Sequence, residues 1–282
     1  MPHDASTQGR YDDAIVDALL DALTRATPRP WLIGLSGLQG SGKSTLSAQL
    51  VEFAARRGIA ALALSIDDFY FGRAARLRLA RDVHPLLATR GVPGTHDVDL
   101  LLGTLDALRN ATPRRLARVP RFDKGLDTRV APSRWPSIAR TPELVILEGW
   151  CIGVPPQDAA ALRRPVNQLE RDDDRDARWR RWVNAQLAQH YVPLWQRLDR
   201  LVMLQAPAWA IVARWRDEQE RALRRRNAPR AMSPEALRRF LMHYERLSRQ
   251  ALKELPARAD LRIVLDEDRR VRRLAMARQG LG

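Results

Sequence analysis

The eight residues Gly37-Leu38-Gln39-Gly40-Ser41-Gly42-Lys43-Ser44 constrain this chain more tightly than any other stretch. They satisfy the pattern G-x-x-x-x-G-K-[ST], and the spacing has a chemical reason. Glycines let backbone N–H groups turn inward around phosphates, and the N-terminus of a following helix adds a favourable dipole. The lysine ammonium reaches the β- and γ-phosphates, and the serine hydroxyl can ligate Mg²⁺. The flanks supply the required context. WLIGLS at 31–36 is a short apolar run feeding straight into glycine, and STLSAQLVEFAARR at 44–57 has helical periodicity. A strand, a phosphate loop and a helix are therefore expected, with Gly37, Leu38, Gln39, Gly40, Ser41, Gly42, Lys43, Ser44 and Thr45 as the nucleotide-binding set and ATP with Mg²⁺ as the cofactors.

ALALSI at 61–66, LVIL at 144–147, RLVML at 200–204 and LRIVL at 261–265 are further apolar runs, each separated from the next by helical or loop sequence. Near-continuous apolar strands alternating with helices imply a parallel sheet covered on both faces. The expected fold is thus an α/β P-loop NTPase, a three-layer α/β/α sandwich with a central, mostly parallel sheet and a helical lid. Residues 1–10 read as a disordered tip and 11–25 as an amphipathic helix with Ile15, Leu19 and Leu23 on one face, ended by Pro28 and Pro30. This sets an N-terminal extension, 1–29, before a single kinase-sized domain, 30–282. Within it, about 82–136 reads as site-forming inserts, with a helix over 97–109, and about 208–234 as a lid region. Helices are expected over 167–198, 208–226 and 234–254, the last starting at Met232-Ser233-Pro234-Glu235.

Composition narrows the function classes. No apolar run approaches the ~18 residues that span a bilayer, and the first ten residues lack the apolar core of a secretory signal, so a soluble cytoplasmic protein is expected. Cys151 is the only cysteine, which excludes intramolecular disulfides and cysteine-rich metal clusters. The formal charge of +15 suggests a nucleic-acid partner, but only Lys43, Lys124 and Lys253 are lysines among 48 basic residues. The arginines are spread along the chain with acids nearby, as in RDDDRDARWRR, so a nucleic-acid-binding ATPase is the lesser reading.

Candidate residues lie where such sheets gather ligands, at the carboxyl ends of strands. Ser65-Ile66-Asp67-Asp68-Phe69-Tyr70 ends the second strand, with Asp67 as candidate base for a hydroxyl and Asp68 as either a second site acid or a helix cap. Glu148 ends the LVIL strand and is placed to hold the Mg²⁺ water shell or orient Ser44. Trp150 and Cys151 beside it read as packing residues. Arg90, His96 and Asp97 in the loop TRGVPGTHD could line an acceptor pocket, with Arg121, Lys124 and Arg129 adding charge for a carboxylate or phosphate. In WRDEQER, Arg216 or Arg221 could neutralise the transferred group beneath a closing lid; the alternative is a solvated helix with Asp217 paired to Arg221.

Together these residues resemble the P-loop kinases of the uridine kinase and phosphoribulokinase group. SIDDFY is similar to that group's S-x-D-x-F-[YH] stretch, whose Asp acts on the acceptor hydroxyl and falls on Asp67. Pro120-Arg121-Phe122-Asp123 with Arg129 resembles its P-x-Y-D-x-x-x-H-x-R segment, with Phe122 for Tyr and Asp127 for His, departures that weaken a nucleoside acceptor. Arg216-Asp217 with Arg221 resembles its lid signature. Within the group, SIDDFY, RGVPGTHD, PRFDKG, APSRWP, LEGWCIG, WRDEQE and MSPEALRRFLMHYERL are similar in order and spacing to the D-glycerate 3-kinase family of plants and fungi and its bacterial relatives. The resemblance covers residues 31 to about 268. It implies phosphoryl transfer from ATP to a small acid, most simply D-glycerate, with Arg90, His96 and Asp97 at the acceptor site. The stretch from Asp123 to Pro132 is shorter than the plant loop, which leaves a nucleoside, pantothenate or a sugar phosphate as alternative acceptors.

Overall fold

The computed structural model describes residues 10–25, 31–225 and 232–276; the expectations for the tip before residue 10, for Pro28 and Pro30, and for 226–231 of the lid region lie outside them. Helix α1 (Asp13–Thr24) starts where Asp12 accepts a hydrogen bond from the Ala14 N–H, an N-cap. Strand β1 (Leu32–Gly37) is buried throughout and leads through the glycine loop into α2 (Lys43–Arg56). Strand β2 (Ala61–Ser65) runs into a 3₁₀ turn over Ile66–Phe69. The insert follows: α3 (Arg73–Asp82), α4 (Val98–Arg109), and two short antiparallel ladders. One pairs β3 (Ala117–Arg118) with β6 (Ser137–Ile138), the other β4 (Phe122–Asp123) with β5 (Thr128–Arg129). Strand β7 (Leu144–Gly149) returns to the sheet. Then come α5 (Gln168–Asp173), α6 (Arg178–Gln186), α7 (Val192–Trp195), β8 (Arg200–Gln205), α8 (Ile211–Arg225), α9 (Pro234–Arg258), β9 (Leu261–Leu265) and β10 (Val271–Met276).

The main sheet has the order β10-β9-β8-β1-β7-β2, parallel except for β10, which runs antiparallel to β9 at one edge. All five expected strands are present, and the registers align their carboxyl ends. Glu148 of β7 lies beside Leu35 of β1 and Ser65 of β2, and Gly37 lies beside Leu204 of β8. Those ends carry the phosphate loop, the Ile66–Phe69 turn and Glu148 together.

Helix α1 buries Val16, Leu19, Leu20 and Leu23 in the same core as Leu46, Leu50 and Phe53 of α2, while Ile15 sits at its margin. Burial of each such side chain contributes on the order of 1.5–3 kcal/mol, so α1 is held to the sheet's covering layer by its apolar face. Helix α9 begins as expected: Ser233 accepts from the Ala236 N–H, with Pro234 in the first turn. Among the described residues three arginines are buried and each is paired: Arg76 with Asp127, Arg180 with Asp174, and Arg246 with Glu170. No helix among the described residues is long and apolar enough to cross a membrane.

Candidate active site

The loop after β1 needs two glycines for steric reasons. Gly40 and Gly42 have φ of 79° and 92°, a region L side chains rarely adopt. A Cβ on Gly40 would also lie 2.8 Å from the Trp215 Cβ, and one on Gly42 2.7 Å from the Tyr11 hydroxyl. Lys43 folds back so that its ammonium donates to the Leu38 carbonyl at 3.1 Å. Burial lowers its pKa, with the charges of Glu148 and Asp67 working against that shift. Ser44 Oγ donates to Glu148 Oε1 at 2.9 Å, joining the loop to the end of β7. Buried atoms of Ser36, Gln39, Ser41 and Gln205 have no protein partner among the described residues, which leaves polar groups around the loop for a ligand.

At the end of β2, Ser65 caps the turn by accepting from the Asp67 N–H at 3.3 Å. Asp67 Oδ1 accepts from the Tyr70 hydroxyl at 2.8 Å, and Oδ2 from the Lys124 ammonium at 2.7 Å. Burial works to raise the Asp67 pKa; the Lys124 charge and the two hydrogen bonds outweigh it and hold the carboxyl at about 2. Asp68 does not cap a helix. It accepts from the Phe122 N–H at 3.0 Å and from Arg121 Nη1 at 3.2 Å, tethering β4 of the insert to the turn, and burial raises its pKa.

The TRGVPGTHD loop docks on the same turn through an antiparallel bridge between Tyr70 and His96. The His96 ring stacks on Tyr70 at 4.5 Å. The Gly94 N–H donates to the Tyr191 hydroxyl at 3.0 Å, so that hydroxyl is free to donate to His96 Nδ1, 2.7 Å away. This chain leaves the imidazole proton on Nε2, a buried donor with no partner among the described residues. Burial lowers the His96 pKa to about 4, so the ring is neutral at pH 7.

Asp97 caps α4 through Oδ1, accepting from the Leu100 N–H, and accepts from Arg129 Nη1 through Oδ2 at 2.9 Å. Asp97 and Arg129 are thus committed to each other. Arg90 Nη1 donates to Asp127 Oδ1 at 2.6 Å, while Arg76 Nη2 occupies Asp127 Oδ2 at 2.5 Å. The Arg90 guanidinium lies 5.8 Å from the centre of the Phe122 ring, which meets Tyr70 edge-on. The Arg90 carbonyl accepts from the Tyr244 hydroxyl of α9 at 2.8 Å. Tyr70, Tyr191, Tyr244 and Arg76 complete the cluster and were not among the expected residues. For the last three, the contacts span 95, 154 and 51 positions, beyond any local pattern.

On α8, Arg216 bonds Gln219 and the buried Glu220, whereas Arg221 is 66% exposed and paired with Asp217 at 2.6 Å. Trp150 packs edge-on against Tyr244 and donates to the Gly91 carbonyl at 3.1 Å. Cys151 is buried, and burial pushes its thiol pKa up, which makes it a poor nucleophile. The result is a phosphate cradle, a hard oxygen pair in Ser44 and Glu148 that suits Mg²⁺, and an ionised aspartate beside a cation, the parts that phosphoryl transfer uses.

No family model matches the chain. It is 36% identical over 248 residues to mug58 of Schizosaccharomyces pombe, described as an uncharacterized kinase, covering 82% of this chain and 86% of that one. It is 31% identical over 222 residues to the chloroplastic D-glycerate 3-kinase of Arabidopsis thaliana, covering 76% of this chain but 46% of the longer plant protein. The solved structure of D-glycerate 3-kinase from Cryptococcus neoformans var. grubii has the same fold, with a TM-score of 0.76 at 24% identity over 94% of this chain and 97% of that one. The YGR205w protein superposes with a TM-score of 0.70 at 25% identity over 93% and 98% of the two chains.

Proposed function

Because this chain belongs to the D-glycerate 3-kinase family of P-loop kinases, we propose that it transfers the γ-phosphoryl group of ATP to a primary hydroxyl of a small acid, with D-glycerate as acceptor and 3-phosphoglycerate as product. The observation that carries this reading is Asp67, which lies in the turn after β2 between Tyr70 and Lys124 and close enough to Lys43 to work on its pKa. In this reading Lys43 and the loop amides hold the β- and γ-phosphates, and Ser44 and Glu148 hold Mg²⁺. The ion would supply charge neutralisation on the phosphate oxygens. Asp67 orients the acceptor hydroxyl. A carboxylate held at about 2 is a weak base, but a loose transition state releases the hydroxyl proton late, so fixing the oxygen in line matters more than basicity.

In this reading Arg90 and the His96 Nε2–H, which has no partner among the described residues, grip the acceptor carboxylate. Lys124, exposed on its outer side, is able to follow the carboxylate. Asp97 and Arg129 brace the loop that carries His96. Helix α8 closes as a lid, with Arg216 on its inner face neutralising charge on the transferred group while water is excluded; Arg221 follows on the outer face.

The test is ADP release across D-glycerate, uridine, pantothenate and a sugar phosphate, with the product identified by mass and by coupling to 3-phosphoglycerate. D-Glycerate is expected to be turned over well above the acceptor-free background. No stimulation by D-glycerate would remove it as substrate, and turnover of another acceptor would reassign the pocket. ATP hydrolysis without any acceptor, together with salt-sensitive binding to DNA or RNA, would favour the nucleic-acid reading instead.

A further inference from the structure

We propose that Tyr11 and Arg269, both outside the phosphate-loop motif, are positioning residues that hold two successive carbonyls of that loop outward and so aim its amides at the nucleotide phosphates. This rests on the nucleotide-binding reading above. The Tyr11 hydroxyl donates to the Ser41 carbonyl at 2.8 Å, and Arg269 Nε donates to the Gly40 carbonyl at 2.7 Å. In a planar trans peptide the C=O and N–H point in opposite directions. Pinning the Ser41 carbonyl outward therefore turns the Gly42 N–H toward the concave side of the loop. Pinning the Gly40 carbonyl fixes the next peptide, whose Ser41 N–H closes the turn onto the Leu38 carbonyl at 3.2 Å and so sets the loop shape from which the Gly42 N–H projects. Gly40 and Gly42 sit in the left-handed region, and without a Cβ their backbone is intrinsically free to adopt other conformations.

Each holding residue is itself fixed. The Tyr11 backbone exchanges two buried hydrogen bonds with the Gln49 side chain of α2, at 2.8 and 2.9 Å. Arg269 lies in the β9–β10 turn at a φ of 65°, uncommon for a residue with a side chain. The turn is locked by Asp266, whose Oδ1 accepts from the Asp268 and Arg270 N–H groups at 2.9 Å each. Beyond Gly40, Arg269 Nη2 bonds the Trp215 carbonyl at 3.3 Å and Glu218 at 2.7 Å, both on α8, and the Trp215 indole returns a hydrogen bond to the Glu267 carbonyl at 2.7 Å. The β9–β10 turn thus ties the phosphate loop to the helix that bears Arg216, and Tyr11 ties it to α1.

The decisive experiment uses the full chain with Tyr11→Phe, which removes one hydroxyl and keeps the ring, and Arg269→Met, with Arg269→Lys as the conservative rescue. Equilibrium binding of ATP and of adenosine is measured by calorimetry, alongside kcat and KM for ATP and the melting temperature. Each disruptive variant is expected to weaken ATP binding and raise its KM about 5–10-fold, the loss of one hydrogen bond to the loop. Adenosine affinity should be unchanged and kcat should stay within about twofold, because only the phosphate contacts are loosened. Arg269→Lys should recover part of the ATP affinity. Unchanged ATP affinity in both variants overturns the inference while leaving the nucleotide reading intact. Parallel losses for ATP and adenosine overturn it too, since that pattern reports general loosening. Failure of the wild type to bind ATP would overturn both.

Discussion

At Asp67, burial and charge act in opposite directions, and the magnitudes decide the chemistry. Lys124 at 2.7 Å and Tyr70 at 2.8 Å outweigh desolvation, so the carboxyl is ionised at neutral pH. Asp67→Asn is expected to lower kcat about a hundredfold or more while KM for ATP changes little, as for a positioned acceptor of the hydroxyl hydrogen bond. Unchanged turnover would remove Asp67 from the mechanism. Lys124→Met deletes the strongest favourable partner and leaves burial to dominate, so the Asp67 pKa rises. A pH profile of kcat/KM should then gain an acidic limb at higher pH than in the wild type, with activity lost as pH falls through it. No displacement of that limb would mean that Lys124 does not control the charge on Asp67. The positions of Lys43 and Ser44 at the start of α2 were legible from the glycine-loop pattern, and those of Asp67 and Glu148 from apolar runs that meet polar residues, the signature of a strand's carboxyl end. Tyr191, which sets the His96 tautomer, was not. It lies in a helical stretch whose pattern announces only burial, and the contact that gives it a role is made 95 positions away.

Among the elements of the insert, α4 is held by buried Leu101, Leu105 and Leu108, whereas α3 and the β4–β5 ladder are tied in by polar contacts. The ladders are two residues long, and Asp68 holds β4 while Asp127 bridges Arg76 and Arg90. The Arg76 side chain is only 2% exposed, so Asp127→Ala would strand a buried charge. A loss of about 3–5 kcal/mol is expected in denaturant unfolding, together with a raised KM for the acceptor because Arg90 is released from its brace. A loss under 1 kcal/mol would show that Arg76 finds another partner. The sheet was legible because its strands are continuous apolar runs, whereas α3 and β10 were not. Helix α3 reads RAARLRLARD and buries only Arg76, so it has no apolar stripe to detect. Strand β10 lies mostly exposed at an edge and pairs with β9 alone. The amphipathic face of α1 was also visible, but periodicity states that a helix has an apolar face without stating which surface covers it. Its packing on α2 and the Tyr11 contact to the loop came only with the fold.

For the molecule as a whole, the Arg76–Asp127, Arg180–Asp174 and Arg246–Glu170 pairs take equal numbers of both signs away from solvent and leave the net charge of +15 unchanged. A sharper electrostatic consequence comes from two neutral histidines. Burial lowers the pKa of both His96 and His243 to about 4, the latter despite carbonyls of Arg239 and Phe240 near its Nδ1. Unfolding returns each to about 6.5, so between these values the unfolded chain binds protons that the native chain refuses. Their contribution is fully present above pH 6.5, falls as pH drops toward 4, and is then exhausted. Asp67 extends the loss only below the ordinary carboxylate range, while Asp68, raised by burial, acts with the opposite sign. Each histidine should cost about 1.4 kcal/mol per pH unit inside the window, up to about 3 kcal/mol in all. Urea midpoints measured from pH 7.5 to 4.5 should therefore decline with a slope approaching two protons, and His243→Gln should bring that slope toward one. A stability flat between pH 7 and 5 would mean that the native rings take up protons as the unfolded chain does, so that burial does not hold their pKa down.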